Sequence, residues 1–422
     1  MVVFVLLYSI VGCAGRPPPR LASEPSRSSE SFRPGQLPII RIGLLVNQSS
    51  VSVSGTGSFK LVDQASGEVI GTSSNNEEWN FRAKGAWVNA ITPAGESQGL
   101  YTGPIQVHPA DREQRILMSK KEYRGIVEVM VNQQSKLTIV NVLDMETYLR
   151  GVVPPEIGQL KEKGIEALKA QAIASRTYAV SNMGRHKKLG FDLYSSVADQ
   201  VYEGYTAEWR IADRAIAETR GMVAVYDGKL ISAFYSSTCG GETESIQEAW
   251  GTESISYLRN VRDRSGSSED FCNGSPVYKW REEWNWETLE AILASTLNRL
   301  DKRKSGKFSL IGIDVLKRSR SGRVKELEVR TNHGRVILRG DRIRSALRRP
   351  VRGRPLLRST LFSLKIKKGH TRRRDTIVAE GGGWGHGIGL CQMGAISMAK
   401  QGFRHDKILR HYYRGIDLRR AY

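Results

Sequence analysis

Cysteine is scarce in this chain, with four residues among 422 (Cys13, Cys239, Cys272, Cys391) and no Cys-x-x-Cys or His-x-x-x-His spacing. Spacing alone therefore supports no zinc finger or ribbon. Glycine is abundant, yet GGGWGHGIGLCQMGA (381–395) contains no triplet at G-x-G-x-x-G spacing, and no P-loop lysine follows it. Nucleotide binding is left without a motif. Nor is there a run able to span a bilayer: MVVFVLLYSIVG (1–12) is too short for that but suits the apolar core of an export signal. Acidic residues are outnumbered, 43 Asp and Glu against 64 Lys and Arg, a formal charge of +21 that favours an anionic partner. Basic residues crowd between 317 and 374, but they alternate with apolar ones, as in VKELEVRTNHGRVILRG, which suggests solvated strand faces. A nucleic-acid binder would need basic and aromatic residues interleaved on one platform, and the exported N-terminus argues against it.

What is present is enough for a sizeable core, with 40% hydrophobic residues. Ile10, Val11, Gly12 and Cys13 close the apolar run as a lipobox would, although no Lys or Arg precedes it. The expectation is a signal over 1–13 with Cys13 lipidated, then a polar, Pro-rich tether over 14–37. Short β-rich runs separated by Gly, Asn and Ser predict an N-terminal β lobe over 38–140, and 141–422 mixes helices with strands. The class is α+β.

The stretch 141–183 carries the most chemistry. NVLDMETYLRGVVPPEIG places Glu156 among Val152, Val153, Pro154, Pro155 and Ile157, which cannot solvate a carboxylate and would raise its pKa. Ile165, Leu168, Ala172, Ala179 and Met183 then recur at helical steps, so a helix with one buried face is predicted over 165–183. Lys169 and Arg176 are seven apart on one of its faces, placed for a polar ligand or a neighbouring carboxylate. A second helix is expected over 207–220, and Asp227-Gly228 between β-branched runs signals a hairpin. Further helices are read between 280 and 301, after Asp341 as N-cap, and near 392–401 and 406–413. SSTCGGETE (236–244) and 381–395 are glycine loops able to fold over a ligand or to pack as turns, with His386 as the one imidazole in such a loop.

Three of these stretches, GVVPPEIG with EALKAQAIASRTYA, FYSSTCGGETE, and GWGHGIGLCQMGA, follow in an order that resembles the SpoIID/LytB family of sporulation and cell-wall proteins. The resemblance runs from about 141 to 415. It implies action on peptidoglycan outside the cytoplasmic membrane, either as a lytic transglycosylase acting on glycan strands or as a partner that stimulates a cell-wall amidase. It places the catalytic glutamate at Glu156 and a substrate groove at Lys169, Arg176, Tyr178, Gln200, Tyr202, Ser237, Glu244, His386 and Gln392; Glu146, Glu203 and Glu244 are secondary carboxylate candidates, Glu244 in its glycine loop first among them. Zinc-bearing members carry a cysteine before the double glycine, often a histidine after it, and a Cys-x-x-Cys about thirty residues on. Here Cys239 matches, Glu242 follows Gly241, and only Cys272 remains downstream. The expectation is therefore no metal or other cofactor, a Cys239–Cys272 disulfide, and Cys391 as a buried apolar residue.

Overall fold

The computed structural model describes residues 36–74, 76–266, 268–297, 308–371 and 375–422. The expected signal, Cys13 and almost all of the tether lie outside the described residues. Those described divide into two compact units, one running from 36 to 233 with 404–406 and Ile416–Tyr422, the other comprising Phe234–Phe403 and Lys407–Gly415. The break thus falls after Ala233, and residues 38–140 share their unit with Glu156.

In the first unit, alternating β-branched residues build a seven-stranded sheet. Strand Leu137–Asp144 lies antiparallel between Ile39–Gln48 and Ile126–Val131, and Leu193–Tyr194 adds a parallel edge to Ile39–Gln48. Ile40, Ile42, Val127, Val129, Leu137 and Ile139 are fully buried, which fixes the register because a one-residue slip would turn them to solvent. A six-stranded sheet between Ser50 and Tyr123 completes the lobe. Strand Leu137–Asp144 runs straight into helix α1 (Met145–Arg150), where Asp144 caps the free amides of Glu146 and Thr147. The short helix α2 (Val153–Ile157) and the long helix α3 (Ile165–Ser181) follow. Helix α3 has buried residues all round, from Ala167 to Val180 without a break save Lys169, where the one-faced pattern predicted a solvated side. Its alanines let neighbouring elements approach closely enough to cover every face. The predicted 207–220 helix is shorter, Arg210–Glu218, and the hairpin turns at Asp227-Gly228 with both residues at positive φ.

The second unit holds two three-stranded antiparallel sheets, Trp280–Asn285/Thr376–Gly381/Phe362–Lys367 and Leu310–Arg318/Val324–Thr331/Gly334–Arg339, around a core that includes Trp284, Leu289, Ile292, Leu327 and Leu338. The basic alternation is a charged strand face: Arg330 and Arg335 pair with Glu328, and Arg339 and Lys317 with Glu326. Asp341 is not the cap of its helix, which Gly340 provides; Asp341 is the first helical residue and accepts from Trp250 Nε1 (3.2 Å). The helices Gln392–Lys400 and His405–Tyr412 occupy the stretches expected for them. Among the described residues no helix is long and apolar enough to cross a membrane.

Candidate active site

Helix α2 is one turn written by its prolines. Pro154 and Pro155 have no N–H to leave unsatisfied and carry a helical φ, so the turn closes without a side-chain cap, through Glu156 N to Val152 O (3.1 Å) and Gly158 N to Pro154 O (2.8 Å). Gly158 ends it at φ 95° and ψ 165°, a region open only to glycine. Val152, Val153, Pro154 and Ile157 are buried, and Glu156 is left half-buried between them and solvent. Its Oε1 accepts from the Val201 amide at 2.7 Å, a bond that ties the carboxyl group to the 199–203 segment.

That segment is held rigidly from behind. Tyr202 is buried on the rings of Tyr148 and Tyr123 and donates to Asn141 Oδ1 (2.7 Å), and its ring occupies the space a side chain at Gly151 would need. Gln200 accepts from the Tyr148 hydroxyl (3.2 Å) and donates to the Ser175 carbonyl (3.3 Å). Both residues, expected in the groove, instead fix the backbone that presents Val201 N–H. Burial raises the Tyr148 phenol well above its usual range, with the Asp199 and Glu156 carboxylates adding to the effect. Asp199, missed in the sequence, has a side chain only 1% exposed that pairs with His186 (2.9 Å) and Arg185 (3.4 Å) and accepts from the Tyr178 hydroxyl (3.3 Å) and the Tyr194 amide (2.9 Å). Tyr178 is thus anchored to Asp199 and largely buried.

Arg176 and Lys169 also turn inward to protein partners. Arg176 is fully buried and grips Glu146 through Nε to Oε1 (2.9 Å) and Nη2 to Oε2 (2.7 Å), with Nη1 on the Met222 carbonyl (3.1 Å). Glu146 further accepts from Gly221 N (3.2 Å) and the Tyr422 hydroxyl (2.6 Å). Lys169 pairs with Glu166 and Glu218, both at 2.7 Å. Glu203 pairs with Lys121. These charges, expected in the groove, are each paired within the protein.

In the second unit Glu244 is likewise no exposed carboxylate. It is 1% exposed and accepts from Ser245 N (2.9 Å), Asn260 Nδ2 (3.2 Å), Ser321 Oγ (2.8 Å) and Ser319 Oγ. His386 accepts at Nδ1 from Ile388 N (2.9 Å) and packs edge-on to Phe234 and tilted against Trp250; desolvation lowers its pKa to about 4, so it is a neutral, loop-fixing imidazole at neutral pH. Ser237 is half-buried with Oγ 3.3 Å from Thr238 Oγ, and Gln392 is buried at the first position of helix Gln392–Lys400. Trp384, not singled out from the sequence, is 44% exposed with the Arg358 guanidinium 5.7 Å from its ring. An exposed indole between glycines is a flat apolar face open to solvent; its signal was the glycine on either side.

The cysteines form a cluster of their own. Cys239 and Cys272 are thiols 3.7 Å apart, far beyond the ~2.05 Å of a disulfide. Cys391 joins them, and so does Asp263, with all four ligand atoms buried and within 4.8 Å of one another. Burial raises the Cys239 and Cys391 thiols and lifts Asp263 to about 8, whereas hydrogen bonds from Cys239 and Cys391 lower Cys272 to about 3.

Comparison with known proteins bears on the Glu156 region directly. A family model described as stage II sporulation protein matches residues 133–226, and a second, described as a domain of unknown function, matches 269–389. An uncharacterised protein of Brachyspira hyodysenteriae is 30% identical over 299 residues, covering 70% of this chain and 72% of that protein. Stage II sporulation protein D of Bacillus subtilis is 28% identical over 70% of this chain and 80% of its own length. The amidase enhancer of Bacillus subtilis is 30% identical over 64% of this chain but only 40% of its own length. With the matched segment enclosing α1, α2, α3 and Glu156, the chain belongs to the SpoIID/LytB family.

Proposed function

We propose that this protein acts on peptidoglycan in the cell envelope as a lytic transglycosylase, cleaving between N-acetylmuramic acid and N-acetylglucosamine in glycan strands, with Glu156 as acid and base. The observation that carries this reading is the hold on Glu156. A half-buried carboxyl group sits on an apolar, proline-built turn and accepts from the Val201 amide, in a segment that two buried tyrosines and a glutamine immobilise. A carboxylate anchored in this way is suited to chemistry that needs a fixed proton donor and acceptor.

The reaction balances with one carboxyl group. Glu156 in its acid form protonates the bridging oxygen as the bond from muramoyl C1 breaks, releasing the N-acetylglucosamine hydroxyl. The resulting carboxylate takes the proton of the muramoyl C6 hydroxyl, whose oxygen closes on C1 to form the 1,6-anhydro ring. No water is consumed and Glu156 ends protonated, ready for the next cleavage. Intramolecular attack thus does the work of the second carboxylate in a hydrolase. A lipid on Cys13 would hold the protein at the membrane near its substrate.

A second reading is favoured by the likeness to the amidase enhancer: a glycan-binding protein that recruits or stimulates a cell-wall amidase. The two part at Glu156→Gln. Glutamine keeps an oxygen for the Val201 amide, so the loss of fold stability is limited to about 1 kcal/mol, the difference between a charged and a neutral acceptor. General acid and base catalysis is worth on the order of 10²–10⁴ in rate. Purified glycan strands, with and without stem peptides, are incubated with each protein and the fragments analysed by mass spectrometry. Anhydro-muramoyl ends made by the wild type and lost in Glu156→Gln are expected. Absence of such ends from the wild type on both substrates excludes the transglycosylase reading.

A further inference from the structure

The second unit contains a cluster for which neither the glycan chemistry nor the family's ligand pattern accounts. Cys239 and Cys272 occupy positions of that pattern, but Asp263 and Cys391 do not belong to it, and two cysteines alone would make no tetrahedral site. In the fold the loop at Cys239, the turn of 263–272 and the start of helix Gln392–Lys400 bring three sulfurs and one carboxylate together, all buried. From Cys239, Asp263, Cys272 and Cys391 we infer a structural zinc site of Cys3Asp type.

Dimensions and surroundings both fit. A tetrahedral zinc with Zn–S of about 2.3 Å and Zn–O of about 2.0 Å requires S···S edges of about 3.8 Å and S···O edges of about 3.5 Å. Cys239 and Cys272 are 3.7 Å apart and the widest edge is within 4.8 Å, so closure requires shifts of no more than about 1 Å. Two thiols in contact could also sit 3.7 Å apart, so the distance is not the deciding fact. More telling is what is aimed at the ligands. The Cys239 amide donates to Cys391 Sγ at 3.2 Å, a backbone partner that orients this sulfur toward the cluster. Asp263 is oriented by the Tyr412 hydroxyl (2.5 Å) and the Cys272 amide (2.9 Å), outer partners of the sort that fix a ligating carboxylate. Helix Gln392–Lys400 approaches so closely at Gly394 that a Cβ there would strike both the Asp263 carboxylate and the Tyr412 hydroxyl. Beside the cluster the buried guanidinium of Arg323 holds the Cys239 carbonyl (2.5 Å) and offsets part of the net negative charge of a Cys3Asp–zinc centre. Three thiolates with one oxygen suit zinc, a borderline-soft ion without redox chemistry of its own. Bound, it would also keep Cys239 and Cys272 from oxidising to a disulfide in an exported protein.

The test uses the full chain, purified without chelator. Metal analysis after gel filtration should give one zinc per chain, and exchange with cobalt(II) should produce the visible bands of a tetrahedral ion with thiolate-to-cobalt charge transfer. Cys391→Ser should diminish the charge-transfer band, and Asp263→Asn should weaken zinc by at least the ~10–100-fold that losing an outer partner costs. Peptide mapping of the unreduced protein should find Cys239 and Cys272 unbridged. Substoichiometric zinc, a mapped Cys239–Cys272 disulfide, or a cobalt spectrum that neither substitution alters would overturn the assignment. Should the variants fail to fold, the stoichiometry, spectrum and peptide map of the wild type decide it unaided.

Discussion

Arg176 separates the structural from the ligand-binding account of helix α3, and replacing it by methionine gives the sharpest difference. The guanidinium makes two bonds to Glu146 at 2.9 and 2.7 Å and one to Met222 O at 3.1 Å, in a site from which solvent is excluded. Removing it leaves Glu146 ionised and buried with only Gly221 N–H and the Tyr422 hydroxyl as donors. Breaking one side of such a pair costs about 3–5 kcal/mol, because an uncompensated charge remains. With two compact units a single unfolding midpoint would blur the effect, so the readout is hydrogen exchange in peptides covering Ile165–Ser181. At about 1.36 kcal/mol per tenfold, exchange in that helix should quicken on the order of 100- to 5,000-fold. Glu146→Gln should act in the same direction. The double replacement by methionine should cost less than the two singles together by about 2 kcal/mol or more, since it leaves no stranded charge. If Arg176→Met leaves exchange within threefold of wild type while glycan binding collapses, the buried pair is not what the residue is for and the groove assignment returns.

Two further outcomes follow from the same unit. Gly158→Ala forces a side chain into a backbone region that only glycine visits comfortably, at about 1–3 kcal/mol, with no neighbouring atom in the way. It should therefore displace Glu156 and lower glycan cleavage without speeding exchange in α3; unchanged cleavage would show that the turn's ending does not position the carboxylate. For Glu166, burial raises the pKa but hydrogen bonds from Lys169 and from the His405 amide and ring outweigh it, lowering the carboxyl from 4.5 to about 2. Its contribution to stability is full above pH 4.5 and is lost as pH falls toward 2, at most ~3 kcal/mol and about 1–2 after allowing for solvent screening of a partly exposed group. Urea midpoints measured from pH 6 down to 2 should fall less steeply in Glu166→Gln than in wild type, and parallel curves would refute the linkage.

How much of this could be read from the sequence depends on the range over which each signal acts. Helix α3, the Asp227-Gly228 hairpin and the strand runs were legible because periodicity and turn chemistry are local, and the Glu156 turn was legible because prolines and valines next to a carboxylate state its environment directly. Partnership across the chain was not. Arg176 looked like a groove residue because Glu146, thirty positions earlier, gave no sign that it would turn to meet it. Glu244 looked exposed in a glycine loop because Ser319 and Ser321, which bury it, belong to a distant strand connection. The cysteines show the same limit in its plainest form. Counted by spacing they are two ligands short of a metal site, and the missing pair comes from Asp263, which no cysteine pattern marks, and Cys391, more than a hundred residues downstream. Motif arithmetic asks which residues are near in sequence, whereas a coordination shell asks only which donors share a point in space. A chain can therefore lose a family's ligand spacing and still hold the geometry, and this is why the zinc assignment rests on Asp263 and Cys391 and would fall with them.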